Sequence, residues 1–136
     1  MRHLPLLLLL GLAMTTAGCG AAPQTIPADV DVAVHMKDYR VELSVATVTP
    51  GTVTFGIKNE GAMEHAFELI RTDLAFDKLP VAGGKASEDG LVKQVQSLGV
   101  GKVALVTADL AAGNYVIICN IAGHYQLGMR TALTVR

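Results

Sequence analysis

The sequence has little of what several large classes of protein require. It contains no tryptophan, aromatic residues make up only 4% of it, and its two cysteines are Cys19 and Cys119. Two cysteines exclude a scaffold held together by several disulfides. The formal net charge is −1, so the chain lacks the positive excess with which proteins contact nucleic acid, and we expect no nucleic-acid partner. With 136 residues the chain has the size of one packed domain and is too short for a multidomain enzyme.

The long apolar run at the N-terminus is too short to cross a membrane. Residues 4–14 are apolar, whereas a membrane-spanning helix needs about 20 such residues. The basic start, the short apolar run and the small residues after it are typical of a secretory signal. Its end, Thr16-Ala17-Gly18-Cys19, resembles the lipobox of bacterial lipoproteins, in which the cysteine is acylated and becomes the new N-terminus.

This resemblance predicts both processing and location. We expect residues 1–18 to be a removed signal peptide and Cys19 to carry the lipid. The protein would then be exported and anchored to the outer face of a bacterial membrane, in the periplasm or at the cell surface. An ordinary cleaved signal with an unmodified Cys19 is the alternative. Residues 19–29, rich in small residues and proline, are predicted to be a flexible tether.

The sequence pattern of residues 30–136 is typical of a β domain. Apolar and polar residues alternate in short runs, most clearly over residues 53–58, and turn signals such as Pro50-Gly51 and Asn59-Glu60-Gly61 separate the runs. Seven or eight such strands predict an all-β, Greek-key β-sandwich.

Three segments carry more specific expectations. Residues 72–90 are irregular and rich in glycine and charge, so a long surface loop is predicted there. Residues 91–98 fit a helical face as well as a strand, and the surrounding strands favour a strand. The spacing of Leu110, Gly113 and Tyr115 resembles a tyrosine corner, in which the hydroxyl bonds the backbone where the chain crosses between sheets.

A set of metal-binding side chains lies near the C-terminus. Cys119, His124 and Met129 follow the pattern C-x4-H-x4-M between two predicted strands, and His65 begins a predicted strand upstream. Two histidines and a cysteine, with a thioether as a weak fourth donor, are the ligands of copper sites that transfer electrons. Strand periodicity places Cys119 and His65 on faces shared with apolar residues, so both are predicted to point into one end of the core.

The segment from Cys119 to Met129 resembles the ligand loop of the cupredoxins, the blue-copper proteins, with the longer spacing of rusticyanin and sulfocyanin. The resemblance extends from about residue 30 to residue 136. It implies a cupredoxin domain that holds one copper ion, as Cu(II) or Cu(I), on His65, Cys119, His124 and Met129. Ala122 stands where many relatives have proline, a difference that bears on loop rigidity and not on ligation.

Three polar side chains are expected near these ligands. Asn59 is expected to end a strand, and a side-chain bond that ties the two ligand-bearing loops together is the alternative. Asn120 is expected to donate a hydrogen bond toward the cysteine sulfur. Glu64, next to His65 in sequence, would place a carboxylate close to the site.

The function implied by the resemblance is electron transfer and not catalysis. The protein would pass single electrons between redox protein partners that dock near His124. Ala62, Ala122, Tyr125 and Leu127 are predicted to form a small apolar patch there, of a kind suited to brief encounters of a monomer with its partners.

Other functions for the same residues stay open at this point. A copper carrier or buffer, which delivers copper to a partner protein, would use the same ligands. A cysteine-dependent enzyme would pair Cys119 with His124, but no orienting residue or oxyanion turn is evident and Met129 would have no part in it. Structural zinc is disfavoured because such sites use more thiolates or a further nitrogen or oxygen donor.

Overall fold

The computed structural model describes residues 24–136. The predicted signal peptide, Cys19 and the first residues of the predicted tether lie outside this part of the chain. The described residues contain strands and turns and no helix. None of them therefore forms a helix long and apolar enough to span a membrane.

Eleven strands build this part of the molecule. In chain order they are β1 (Val32–Lys37), β2 (Arg40–Leu43), β3 (Thr47–Val48), β4 (Gly51–Asn59), β5 (His65–Arg71), β6 (Val81–Ala82), β7 (Lys85–Ala86), β8 (Leu91–Leu98), β9 (Val103–Leu110), β10 (Gly113–Ile118) and β11 (Arg130–Val135). One sheet has the strand order β2-β1-β4-β9 and the other the order β3-β11-β10-β5-β8, while β6 and β7 form a separate short hairpin. The chain passes repeatedly from one sheet to the other, so the predicted all-β sandwich is confirmed.

The alternating residues of β4 and β5 show how the core forms. Val53, Phe55 and Ile57 point inward from the first sheet, and Phe67 points inward from the second. The rings of Phe55 and Phe67 meet across the sandwich with centroids 5.7 Å apart. Burying a phenylalanine side chain of this kind stabilises the fold by about 1.5–3 kcal/mol.

Segment 72–90 is not the simple surface loop that was predicted. Leu79 and Ala86 are buried against the outer face of the second sheet, where they pack with Ile70, Val116 and Ile118. These strands are apolar on both faces, and the outer face therefore needs a cover. The segment supplies it, with the β6–β7 hairpin in its middle.

Residues 91–98 form strand β8, as the neighbouring strands suggested. The strand pairs antiparallel with β5, but its register shifts between His65 and Phe67 and again between Leu69 and Ile70. Each shift inserts an extra residue on β8 and interrupts the two-residue alternation. Because of these irregularities, the apolar residues of β8 also match the spacing expected for one face of a helix.

Two smaller features complete the fold. The Tyr115 hydroxyl donates a hydrogen bond to the Ala111 carbonyl (2.9 Å), which confirms the tyrosine corner.

Gln24, part of the predicted tether, accepts a hydrogen bond from the Val103 N–H (2.9 Å). Ile26 lies against Gly56, at a point where any side chain on residue 56 would collide with it. Contacts with the domain therefore begin before residue 30.

Candidate metal centre

Three of the predicted ligands meet at one end of the sandwich. Cys119 Sγ lies 3.4 Å from His124 Nδ1 and 3.9 Å from His65 Nδ1. These three atoms all lie within 4.8 Å of one another. His65 is the first residue of β5 and Cys119 directly follows β10, and the two strands are neighbours in the second sheet. Strand pairing therefore brings together side chains that are far apart in the sequence.

The loop from Cys119 to Met129 is closed by its own backbone. The Cys119 N–H donates to the Met129 carbonyl and the Met129 N–H donates to the His124 carbonyl, both at 3.0 Å. Gly128 adopts a left-handed conformation with φ of 116° and leaves no room for a side chain beside the Tyr39 carbonyl. Met129 is fully buried in the same apolar cluster as Cys119. All four predicted ligands thus belong to this end of the core.

Burial shifts the pKa values of two predicted ligands, His65 and Cys119. Burial lowers the pKa of His65, although the nearby Asp38 carboxylate opposes this effect. Neutral His65 can use Nε2–H to donate to Asp38 Oδ1 at 3.1 Å, which leaves the lone pair of Nδ1 facing Cys119. Burial raises the pKa of the Cys119 thiol, against backbone hydrogen bonds that lower it. One of these comes from the Ala66 N–H, 3.2 Å from the sulfur.

This set of donors fits copper. Two imidazole nitrogens and one sulfur converge, with a buried methionine at the end of the same loop, and these soft and intermediate donors select copper over harder cations. The environment is also unlike that of a catalytic cysteine. A reactive thiol is accessible and has a lowered pKa, whereas Cys119 is fully buried and its pKa is raised.

The carboxylate that contacts the site is Asp38, and nothing in the sequence pointed to it. Asp38 lies in the turn between β1 and β2, beside Tyr39, whose φ is 65°. The residue types predict a turn there, but the contact with His65 arises only when the two sheets pack. Glu64, which was expected near the site, is exposed to solvent.

Asn59 is the last residue of β4, as expected, but the alternative that it ties the two ligand-bearing loops together is wrong. Its side chain is buried and donates to the carbonyls of Met63 and Leu98, both at 2.8 Å, and accepts from the Gly61 N–H at 2.9 Å. These partners lie in the β4–β5 loop and at the end of β8. Asn59 therefore fixes the loop that leads into His65 and not the loop that carries Cys119.

The prediction that Asn120 donates to the cysteine sulfur is also wrong. Its amide accepts from the Ala86 N–H (2.8 Å), and donates to the Ala86 carbonyl and to Glu68 Oε2 (3.1 Å each). Successive residues of an extended chain point to opposite sides, so Asn120 turns outward where Cys119 turns inward. Asn120 thereby joins the ligand loop to segment 72–90.

Tyr125 makes a second connection between the ligand loop and segment 72–90. Tyr125 was predicted to lie in the exposed patch, but its side chain is buried. Its hydroxyl accepts a hydrogen bond from the Leu79 N–H and donates one to the Phe76 carbonyl, each at 2.9 Å. Beside it, the Gly123 N–H donates to the Gly84 carbonyl at 2.8 Å. We call residues 72–90, which make these contacts and those with Asn120, the clamp segment.

The other members of the predicted patch are accessible. Ala62 and Ala122 are exposed, and Leu127 is exposed over 60% of its surface. They lie on the β4–β5 loop, which leads into His65, and on the loop that carries His124. The two histidine rings meet edge-on with centroids 5.4 Å apart. His124 is half-buried, while His65 is fully buried. His124 is therefore the more accessible of the two histidines.

Comparisons with known proteins agree with this fold and site. Residues 24–136 match the family model of the sulfocyanin (SoxE) domain. Among solved structures, reduced auracyanin from Roseiflexus castenholzii is 21% identical with a TM-score of 0.61, and the match covers 76% of this chain and 94% of that one. Rusticyanin from Thiobacillus ferrooxidans is 22% identical with a TM-score of 0.54, covering 76% of each chain. An azurin from Methylomonas sp. strain J is 17% identical with a TM-score of 0.53, covering 76% of this chain and 95% of that one. The comparison with curated proteins found no match.

Proposed function

Because the chain belongs to the sulfocyanin family of cupredoxins, which bind one copper ion, we propose that it carries single electrons between redox protein partners. The observation that carries this proposal is the convergence of His65 Nδ1, Cys119 Sγ and His124 Nδ1 at the end of a packed core. A bound copper ion would supply the chemistry by alternating between Cu(II) and Cu(I). We assign its ligation to His65, Cys119, His124 and Met129.

The contribution of the protein is to hold these ligands still. Cys119 and His65 are fixed by adjacent strands, and the clamp segment holds the loop that bears His124 and Met129. A donor set held in one geometry needs little rearrangement when an electron arrives or leaves, and a small rearrangement favours fast transfer. The accessible His124 would lie on the route of the electron to a partner.

We further propose that the domain works outside the cytoplasmic membrane, held to it by a lipid on Cys19. The sequence of the leader supports this proposal. Mass spectrometry of the native protein tests it: the N-terminal residue is expected to be an acylated Cys19, and a Cys19→Ala variant is expected to lack the lipid. Native protein found wholly in the soluble fraction without a lipid would contradict the anchor.

Copper titration followed by visible absorption tests the copper–thiolate site on which the electron-transfer function depends. We expect Cu(II) to give an intensely coloured protein through sulfur-to-copper charge transfer, and Cys119→Ser to abolish the colour. Circular dichroism of the metal-free variant is the control for folding. A folded wild-type protein that binds Cu(II) without colour would refute the assignment.

A copper carrier would use the same ligands but would release the metal. Repeated oxidation and reduction in the presence of a competing Cu(I) chelator separates the two functions. An electron carrier is expected to retain its copper through many cycles, whereas a carrier or buffer is expected to lose it to the chelator within a few.

A further inference from the structure

The turn between β1 and β2 places a carboxylate against the buried copper ligand. Asp38 Oδ1 is 3.1 Å from His65 Nε2, on the side of the ring opposite to the Nδ1 atom that faces Cys119. The Ala62 N–H donates to both carboxylate oxygens, at 3.1 and 3.0 Å, so the carboxylate itself is held in position. Asp38 is about 29% exposed whereas the His65 side chain is fully buried.

Gly61 supplies independent evidence that this contact is built into the fold. A Cβ added at residue 61 would collide with Asp38 Oδ1 and would lie 2.5 Å from His65 Nε2. Only glycine leaves the space that the Asp38–His65 hydrogen bond occupies. Gly61 is held there by its N–H, which donates to Asn59 Oδ1 at 2.9 Å. Three segments, the β1–β2 turn, the β4–β5 loop and β5, therefore meet at this hydrogen bond.

We propose that Asp38 is a positioning residue for the copper ligand His65. Its carboxylate accepts the Nε2–H hydrogen bond, selects the tautomer whose Nδ1 lone pair points toward Cys119, and fixes the orientation of the ring. A carboxylate in this position also makes the imidazole a stronger electron donor and favours the more positive Cu(II) over Cu(I). The proposal deepens the function proposed above, since it assumes that His65 is a copper ligand.

Loss of the Asp38 carboxylate is expected to change copper affinity and reduction potential, and not only the stability of the β1–β2 turn. Partners that orient a metal-ligating histidine typically account for about a 10–100-fold difference in metal affinity or activity. We therefore expect Asp38→Ala to weaken Cu(II) binding by about this factor. Asp38→Asn keeps an acceptor but removes the charge, and is expected to raise the reduction potential with a smaller loss of affinity.

The matched control is Glu64→Gln. It removes one negative charge next to His65 in the sequence, from a side chain that is exposed. If the loss of a nearby charge is what matters, Glu64→Gln and Asp38→Asn are expected to change the reduction potential alike. If the charged hydrogen bond to His65 is what matters, only Asp38→Asn is expected to change it. Gly61→Ala tests the same contact from the other side, because its methyl group fills the space of the hydrogen bond without changing any charge.

Nitrogen NMR of the imidazole rings in the metal-free protein gives a readout that does not depend on copper. We expect wild-type His65 to carry its proton on Nε2, and Asp38→Ala and Gly61→Ala to show a mixture of tautomers, with Glu64→Gln unchanged. Thermal unfolding identifies any variant that fails to fold. If Asp38→Ala or Gly61→Ala does not fold, the reduction potential of Asp38→Asn tests the positioning role instead.

The outcomes separate this proposal from the proposed function. An unchanged His65 tautomer in the folded Asp38→Ala and Gly61→Ala variants, with a copper affinity and potential equal to those of Glu64→Gln, would overturn the positioning role. A wild-type protein that binds Cu(II) without colour would overturn the copper function. The tautomer in the metal-free protein would still decide whether Asp38 orients His65.

Discussion

Met129 is the ligand whose identity is expected to tune the reduction potential. It is fully buried, and its backbone bonds to both Cys119 and His124, so its side chain can be changed without opening the loop. Met129→Leu removes a weak donor that helps Cu(II), and the potential should rise. Met129→Gln offers a harder oxygen donor, and the potential should fall.

Voltammetry of the three proteins tests the order Leu above Met above Gln. Met63→Leu is the control, because Met63 lies near His65 in the sequence but is partly exposed. Equal potentials in all the variants would mean that Met129 serves only in packing.

Glu68 is the acidic residue whose burial has a consequence for stability. It is almost fully buried, burial raises the pKa of its carboxyl, and the nearby Glu88 carboxylate raises that pKa further. The folded state therefore holds a proton that the unfolded state releases from about pH 4.5 upward. The contribution of Glu68 to stability is fully present below that pH and is lost as the pH rises through the raised pKa.

Glu68→Gln should remove this dependence. We expect the variant to be more stable than the wild type at neutral pH, and the difference to shrink as the pH falls toward 4. Urea denaturation of the metal-free proteins at several pH values measures it. A difference that stays constant with pH would show that ionised Glu68 is not destabilising.

Individual strands and loops differ in how well the sequence predicts them. Apolar and polar residues alternate regularly in β4. The ligand spacing from Cys119 to Met129 lies within one loop. Local patterns in the sequence therefore suffice to predict both. β8 was ambiguous because its bulges interrupt the alternation. The contacts of Asp38, Asn120 and Tyr125 depend on segments that are distant in sequence, and no local periodicity encodes them.

The clamp segment is expected to keep the ligand loop closed. Tyr125→Phe removes the acceptor of the buried Leu79 N–H, and an unsatisfied buried donor costs about 1–3 kcal/mol. We expect the free energy of unfolding to fall by about this amount. The buried Cys119 of the metal-free protein should also react faster with a thiol reagent, because the loop opens locally.

Tyr115→Phe is the matched control for this experiment. It also removes a tyrosine hydroxyl, but that hydroxyl bonds Ala111 at the other end of β10. It should lower stability without speeding the labelling of Cys119 under native conditions. Equal labelling rates in the two variants would show that segment 72–90 does not restrain the loop.

The surface of the whole domain offers a test of where partners dock. Leu127, on the ligand loop, and Leu105, on β9, are exposed to similar extents, 60% and 55%. Leu127→Glu should slow electron exchange severalfold and leave the copper spectrum nearly unchanged, while Leu105→Glu should have little effect. Ala122→Glu and Ala112→Glu form a second pair, since Ala112 is exposed at the opposite end of β10 from Cys119.

Stopped-flow exchange between oxidised and reduced protein measures these rates. The ionic strength must be held fixed, because screening changes the rates of charged variants by itself. Equal slowing by both members of each pair would exclude a docking surface centred on His124 and would favour the carrier function.

The position of β11 has a consequence for how the molecule is made. This strand follows the other ten in the chain, yet it lies inside the second sheet, parallel to β3 and antiparallel to β10. Cys119 also needs the carbonyl of Met129, just before β11, as its backbone partner. A nascent chain still lacking these residues cannot close its ligand loop. Binding of copper by all four proposed ligands must therefore wait until the last strand of the domain has been synthesised.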